Sequence, residues 1–344
     1  MVLPILCGIV LAIVLPRRNK QNLQLTAIYT VITSIVVAVT FAGASAISFA
    51  DVEIINGQVT AKNRVHDEYT RSYDCFCTTD KKGHRTCQTC TEQRYTVSWD
   101  IETTVGGVNV EKLDKDSKRV YLSPDPRQYA NATIGEPASR RNHYINYVQA
   151  VPNSLFTPAT RDLREKFKNL IPAYPDKIYN LYKNDHVLSP GHNLDLSEWN
   201  NLVANELRTL GREKQVNLIF VIAKTADPQY EYAIRDAWEN GNKNDVIVLI
   251  GSTMFPRIDF VRVITWSKSE IFKIELRDKI LEHAKVDNDI IHLTVNQIKT
   301  NFERRHMSEF EYLQSEVEPP MWVLICLVFC IFVSAGFTYI KFKD

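Results

Sequence analysis

Two long runs without a charged residue, one near each end of the chain, constrain its fold more than any other feature. The C-terminal run extends from Met321 to Ile340 and is followed by Lys341 and Lys343. A helix of this length rises about 30 Å, the thickness of the hydrocarbon core of a bilayer. The run therefore predicts a transmembrane helix in the segment 319–344, with a short cytoplasmic tail after it.

The N-terminal region, residues 1–50, contains a short apolar segment at 2–16 and a longer uncharged run at 25–50. The longer run predicts a second transmembrane helix. Basic residues beside a membrane span stay cytoplasmic, and the cluster from Arg17 to Lys20 then places the middle of the chain outside. The pattern Ala44-Ser45-Ala46 leaves open cleavage as a signal peptide.

These two regions predict an integral membrane protein that contacts the lipid bilayer and keeps the bulk of its chain extracytoplasmic. The formal net charge is +1, from 41 basic and 40 acidic residues. This balance gives no basic excess for nucleic acid, so a nucleic-acid partner is not expected. A membrane or periplasmic protein is the partner that we expect.

The middle of the chain divides into two predicted domains of different composition. Residues 51–150 are rich in β-branched and aromatic residues, with a hairpin around the turn at Asp80 to Gly83. Residues 151–318 alternate between amphipathic segments and apolar strands such as 216–223 and 246–250, which predicts a sheet covered by helices. The expected fold class is α+β or α/β, with a small cysteine-stapled β-rich domain and transmembrane helices at both ends.

Four cysteines lie close together on the two sides of this hairpin. They form a Cys-x-Cys pair, Cys75 and Cys77, and a Cys-x-x-Cys pair, Cys87 and Cys90. Thiolates at such spacing can hold a structural zinc ion. In an oxidising environment the same four residues would instead form two disulfides, and the sequence does not select the pairing. Both alternatives describe a structural staple.

Acidic residues near the predicted strands form a second candidate site. Asp227 follows one strand, Asp236 lies on the next predicted helix, and Asp245 precedes the following strand. Carboxylates that converge at strand ends can bind calcium or magnesium. Helix capping and a solvated surface explain the same residues more simply, so we do not expect either cation. The sequence contains no recognisable nucleophile motif or phosphate-binding loop, and we expect no catalytic residues.

Residues 216–283 resemble the TPM family. The resemblance rests on the strand from Val216 to Ala223, on Tyr232-Ala233 and on the segment from Ala237 to Ile250. It implies a helix-covered sheet and either maintenance of membrane complexes or a weak metal-dependent phosphatase activity with bound calcium. The chain departs from the family at Thr265-Trp266-Ser267, where a glycine-rich segment is usual.

A second resemblance, to uncharacterised membrane proteins of large tailed bacteriophages, covers most of the middle. It rests on residues 95–99, on 142–148 followed by 152–156, and on 304–313. It implies a phage-encoded protein at the inner membrane of the host and implies no activity.

Three functions follow from these observations. The first is a membrane-anchored, extracytoplasmic interaction module without enzymatic activity. The second is a metal-dependent phosphatase of the TPM type, and the third is superinfection exclusion or lysis control. We favour the first, because no nucleophile with a neighbouring base is evident.

Overall fold

The computed structural model describes residues 31, 35–43, 50–150, 161–316 and 321–342. The strands are β1 (Ala50–Thr79), β2 (Arg85–Thr103), β3 (Val108–Lys115), β4 (Pro137–Ile145), β5 (Val187–Leu188), β6 (Asn217–Ala223), β7 (Asp245–Gly251) and β8 (Phe260–Thr265). The α-helices are α1 (35–43), α2 (Arg127–Asn131), α3 (Tyr147–Ala150), α4 (Arg161–Lys166), α5 (Ser197–Lys214), α6 (Tyr230–Ala237), α7 (Glu270–His283), α8 (Asn288–Asn301) and α9 (Met321–Phe342). Short 3-10 helices cover Lys118–Leu122, Lys168–Leu170 and Met307–Glu316.

The chain divides into two compact units. One comprises Val52–Asn142 and Pro158–Arg305, and we call it the sheet unit because it holds almost all of both sheets. The other comprises Met1–Asp51, His143–Thr157 and His306–Asp344. The predicted domain boundaries at 150 and 318 adjoin residues outside the described ones, and they stay predictions.

The first sheet is built on a long antiparallel hairpin. Its strand order is β3-β2-β1-β4, and β1 pairs with β2 from Val59 opposite Thr103 to Thr79 opposite Arg85. Alternate residues of a strand face the same side. Val97, Trp99 and Ile101 are accordingly buried together, and the 3-10 helix Lys118–Leu122 and α2 cover them.

The second sheet has the order β5-β6-β7-β8, with β5, β6 and β7 parallel and β8 antiparallel to β7. Helices cover both faces. Leu218, Phe220 and Ile222 of β6 face α5, α7 and α8, whereas Ile219 and Val221 face α4 and α6. Burial on both sides explains why these strands are continuous apolar runs. The predicted strands at 216–223 and 246–250 are confirmed as β6 and β7.

The structure corrects the predicted membrane segments. No helix within the part of the chain that the structure describes is long and apolar enough to cross a membrane.

The transmembrane helices at both ends, and with them the integral-membrane and extracytoplasmic localisation, are therefore not supported. Instead, α1 and α9 contact each other through apolar side chains. Val37 lies in one buried cluster with Val323, Leu327 and Ile331. The predicted cleavage site at residues 44–46 lies outside the described residues.

A second feature of the fold concerns residues 122–142, where three prolines and a glycine are a pattern typical of a loop. These residues contain α2 and most of β4. Pro126 lies at the N-cap of α2 and Pro137 at the first position of β4. Proline is compatible with a helix start and with a strand start, so it marks the beginnings of elements here.

Candidate functional site

The four cysteines near the end of the β1–β2 hairpin lie in two disulfides. Cys75 is bonded to Cys90, with Cα atoms 5.7 Å apart. Cys77 is bonded to Cys87, with Cα atoms 4.0 Å apart. The structure thus brings together all four residues that the sequence singled out, and it selects one of the three pairings that the sequence left open.

A β-bulge at Phe76 makes this pairing possible. Cys75 lies opposite Gln88, but Thr78 lies opposite Thr86, so β1 contains one residue more than β2 over this stretch. Phe76 has a positive φ of 46°, an unusual backbone conformation for a phenylalanine. In a regular hairpin the Cys-x-Cys pair would share a face and the Cys-x-x-Cys pair would not. The extra residue moves the second cysteine of β1 to the other face, where its partner lies.

This register places the two disulfides on opposite faces of the hairpin. Cys87 and Cys90 are three residues apart on one strand, so their side chains point to different sides. A structural zinc ion needs four ligands around one point, with each sulfur about 2.3 Å from the metal. The arrangement fits two disulfides and does not fit a zinc ion shared by the same four residues.

The disulfides lie in a two-stranded segment, residues 69–94, which we call the arm. β3 pairs with β2 only between Tyr95 and Ile101. From Arg85 to Arg94, β1 is the only described strand that pairs with β2. The side chains of the arm are exposed, except that the four cysteines, Glu92 and Arg94 are half-buried. From Tyr69 to Thr79 the strand extends about 33 Å.

The tip of the arm is an ordered turn with a basic surface. One carboxylate oxygen of Asp80 accepts hydrogen bonds from the backbone N–H groups of Lys82 and His84, both at 2.8 Å. The bond from the His84 N–H is the largest cause that lowers the pKa of Asp80. Because this carboxylate is occupied inside the turn, Lys81 and Lys82 form no ion pair with any described residue. Phe76, in β1, is 79% exposed.

The three aspartates of the predicted cation site do not come together. Asp227 lies 2.5 Å from the ammonium group of Lys166. Asp245 is buried and accepts a hydrogen bond from Asn217 Nδ2 at 2.9 Å. Asp236 has one buried oxygen without a partner. Their carboxylates do not form a group within 4.8 Å in the described chain, so nothing here favours the phosphatase alternative.

A different group of possible metal ligands, His283, Asp287 and Asp289, has side-chain atoms within 4.8 Å of one another. Its contacts are those of a helix cap. Asp287 is the N-cap of α8, accepts from the backbone N–H of Asp289 at 3.1 Å, and lies 2.7 Å from His283 Nε2. The partial positive charge of a helix N-terminus opposes a bound cation, so capping explains this cluster.

Sequence reasoning missed a polar pocket between the turn at 179–184 and α5. Asn184 and His186 line it and are only 6% and 1% exposed. Both polar atoms of the Asn184 side chain, and Nδ1 of His186, have no hydrogen-bond partner. A buried polar atom without a partner costs about 1–3 kcal/mol. The only sequence signal was the polar stretch around Asn184, which is typical of any loop.

Burial also fixes the charge state of His186. It lowers the pKa of the imidazole from 6.5 to about 4, although a hydrogen bond to the backbone carbonyl of Leu218 acts in the opposite direction. Since Nδ1 is the unpaired nitrogen, Nε2–H makes the bond to Leu218. The ring is therefore neutral near pH 7.

Comparison of the chain with protein-family models, with curated proteins and with solved structures gave no match. The resemblances to the TPM family and to bacteriophage membrane proteins therefore stay predictions.

Proposed function

We propose that the chain is a protein-binding module without catalytic activity, and that the arm carries its contact surface. The observation behind this proposal is a hairpin exposed on both faces that two disulfides hold together. A two-stranded hairpin without a core is marginally stable by itself. Disulfides compensate for the missing core by restricting the unfolded ensemble. A stabilised arm with little contribution to a hydrophobic core is suited to contact with another molecule.

The chemistry of the tip defines the partner. Phe76 presents an exposed ring, and Lys81, Lys82 and Arg85 surround the turn with positive charge. Aromatic and arginine side chains carry much of the energy of protein interfaces, and charge complementarity accelerates association. The partner that fits is a protein with an apolar pocket for Phe76 and an acidic rim for the basic residues.

Site-specific photo-crosslinking in intact cells tests this proposal. A photoreactive phenylalanine analogue replaces Phe76 in the full chain, and the same analogue at Ile274 serves as control. Ile274 is 52% exposed on α7, away from the arm in sequence. We expect one defined protein crosslink at position 76 and none at 274. Equal crosslinking at both positions would contradict the proposal.

Charge reversal at the tip distinguishes a specific contact from non-specific adsorption. With the analogue at position 76, the double change Lys81→Glu and Lys82→Glu should lower crosslink yield about tenfold or more, because like charges would face the acidic rim. The matched control is Lys273→Glu together with Lys279→Glu on α7, which should leave the yield unchanged. An unchanged yield in the tip variant would show that the basic residues take no part.

A further inference from the structure

The two disulfides of the arm differ in their charged surroundings. The guanidinium group of Arg85 donates a hydrogen bond from Nη2 to Sγ of Cys77 at 3.4 Å. Sγ of Cys75 instead lies 3.3 Å from the backbone oxygen of Gln88, which carries a partial negative charge. A cation stabilises a negative charge on a neighbouring sulfur, whereas a carbonyl oxygen opposes one. The surroundings therefore favour a thiolate at Cys77 and disfavour one at Cys75.

Strand geometry restricts Arg85 to one of the two disulfides. Arg85 is the first residue of β2 and lies opposite Thr79. Residues two apart on a strand point to the same face. Arg85 therefore shares a face with Cys87, and Thr79 shares that face with Cys77. Cys90, five residues from Arg85, points to the other face. Among the residues that the structure describes, no arginine or lysine donates a hydrogen bond to the second disulfide.

The disulfide between Cys77 and Cys87 is also accessible to a reagent from solution. Both cysteines are half-buried, and residues 78–86 between them are all exposed. This turn carries three basic residues against one carboxylate, so its surface attracts an anionic thiolate. A partly exposed cysteine in positive surroundings is the usual environment of a reactive cysteine.

We propose that the Cys77–Cys87 disulfide is a site of thiol–disulfide exchange, and that the Cys75–Cys90 disulfide is a permanent staple. The co-reactant is a thiol reductant. Exchange at this site is a property of the chain by itself, so its test does not depend on the protein-binding function of the arm.

The first step is attack by the thiolate of the reductant on Sγ of Cys87. The bond between the two cysteine sulfurs breaks, its electron pair leaves on Sγ of Cys77, and a mixed disulfide joins the reductant to Cys87. The sulfur that forms the more stable thiolate is the better leaving group. The contact with Arg85 therefore directs the attack to Cys87 and the negative charge to Cys77.

The second step requires a dithiol reductant. Its second thiolate attacks the reductant's own sulfur in the mixed disulfide, and Cys87 leaves as a thiolate. Overall the dithiol is oxidised to a disulfide and gives up two electrons and two protons. The two cysteines gain the electrons, and the protons pass to their thiolates or to water.

Partial reduction of the purified full-length chain measures the selectivity. The chain is treated with dithiothreitol for increasing times, free thiols are blocked with N-ethylmaleimide, and the modified cysteines are identified by peptide mass spectrometry. We expect Cys77 and Cys87 to be modified at least about tenfold faster than Cys75 and Cys90. Equal rates, or faster reduction of the second disulfide, would overturn the proposal.

A monothiol stops the reaction after the first step and shows which sulfur is attacked. With mercaptoethanol we expect the adduct mainly on Cys87. Arg85→Gln, which removes the charge and keeps a hydrogen-bond donor, should slow adduct formation about threefold or more and divide the adduct between Cys77 and Cys87. Arg85→Lys should retain the rate and the preference for Cys87.

The matched control is Arg71→Gln, which removes another exposed arginine of the arm, one that lies 3.8 Å from Glu92. We expect this variant to form the adduct at the wild-type rate and on Cys87. An adduct mainly on Cys77 in the wild-type chain would contradict the proposed direction of attack. An unchanged rate and distribution in Arg85→Gln would contradict the role of the arginine.

Discussion

At the scale of single residues, Glu53 is a buried carboxylate that contacts three side chains from distant parts of the sheet unit. Its side chain is 2% exposed and lies 2.8 Å from Lys243 Nζ and 2.8 Å from Arg304 Nη2. Asn142 Nδ2 donates a further hydrogen bond to it at 2.8 Å. A carboxylate this buried is tolerated only when such partners offset the loss of water.

We expect Glu53→Gln to lower the free energy of unfolding of the sheet unit by about 3–5 kcal/mol, because two buried cations would lose their counter-ion. Urea denaturation followed by circular dichroism measures the change. Glu270→Gln is the control, since its exposed pair with Lys273 at 2.9 Å contributes less than about 1 kcal/mol. A loss of similar size in both variants would mean that burial of Glu53 does not matter.

His186 makes stability depend on pH. Its pKa is about 4 in the folded chain against 6.5 for a free imidazole, so below pH 6.5 the unfolded chain binds a proton that the folded chain does not. The contribution of the neutral ring to the free energy of unfolding is fully present above pH 6.5 and is lost as the pH falls towards 4. Relative to His186→Gln, the wild-type chain should lose about 3 kcal/mol over this interval. A wild-type-minus-variant difference that is flat between these pH values in urea titrations would contradict the assignment.

At the scale of elements, the arm shows how one extra residue determines a covalent pattern. The bulge at Phe76 shifts by one residue the alternation of side chains between the two faces of β1, relative to β2. Cys75 and Cys77 therefore point to opposite faces and each finds a partner. The helices of the second sheet follow simpler rules. For example, Ser269 Oγ caps α7 by accepting from the N–H of Phe272 at 3.3 Å.

Removing the disulfide nearer the tip should loosen the arm without unfolding the sheets. In Cys77→Ser with Cys87→Ser, we expect trypsin to cut after Arg71 and Arg94 about tenfold faster, because local opening of the arm becomes easier. The urea midpoint of the sheet unit should change little. Thr78→Ser with Thr86→Ser, the neighbouring cross-strand pair, is the control and should leave cleavage unchanged. Cleavage as slow as in the wild type would show that the arm is held by other contacts.

At the scale of the whole molecule, hydrogen bonds between buried amides join the two sheets of the sheet unit. Asn56 Nδ2 of β1 donates to Asn217 Oδ1 of β6 at 3.0 Å, and Asn244 Nδ2 donates to Ile54 O at 2.7 Å. Gly211 of α5 permits this approach. A Cβ atom added there would lie 2.7 Å from the backbone oxygen of Asn56.

Gly211→Ala should therefore destabilise both sheets together. Alanine normally favours a helix interior by about 1 kcal/mol over glycine, but the clash with β1 should reverse the sign and cost about 1–3 kcal/mol. Hydrogen–deuterium exchange measures protection in β2 and β6 separately. We expect both to lose protection by the same factor. Loss in only one strand would mean that the two sheets unfold independently.

The sequence predicted those parts of the fold that depend on neighbours along the chain. Apolar runs bounded by polar residues predicted β6 and β7. The turn at Asp80 to Gly83 predicted the hairpin, and the cysteine spacing predicted its staple. The apolar runs near the termini gave the wrong result. Apolar length alone does not specify a membrane span. In the described parts of α1 and α9, Val37, Val323, Leu327 and Ile331 form one buried cluster, whereas most of the other apolar side chains are exposed.

The tertiary structure alone decided features that join distant segments. The spacing of the cysteines could not select the disulfide pairing, because a bulge of one residue changes which face of the strand the following side chains point to. The partners of Glu53 lie far from it in sequence, at Asn142, Lys243 and Arg304. The pocket at Asn184 and His186 was invisible in the sequence for the same reason. Whether a polar side chain is buried without a partner depends on everything that packs around it, and only the folded chain brings those neighbours together.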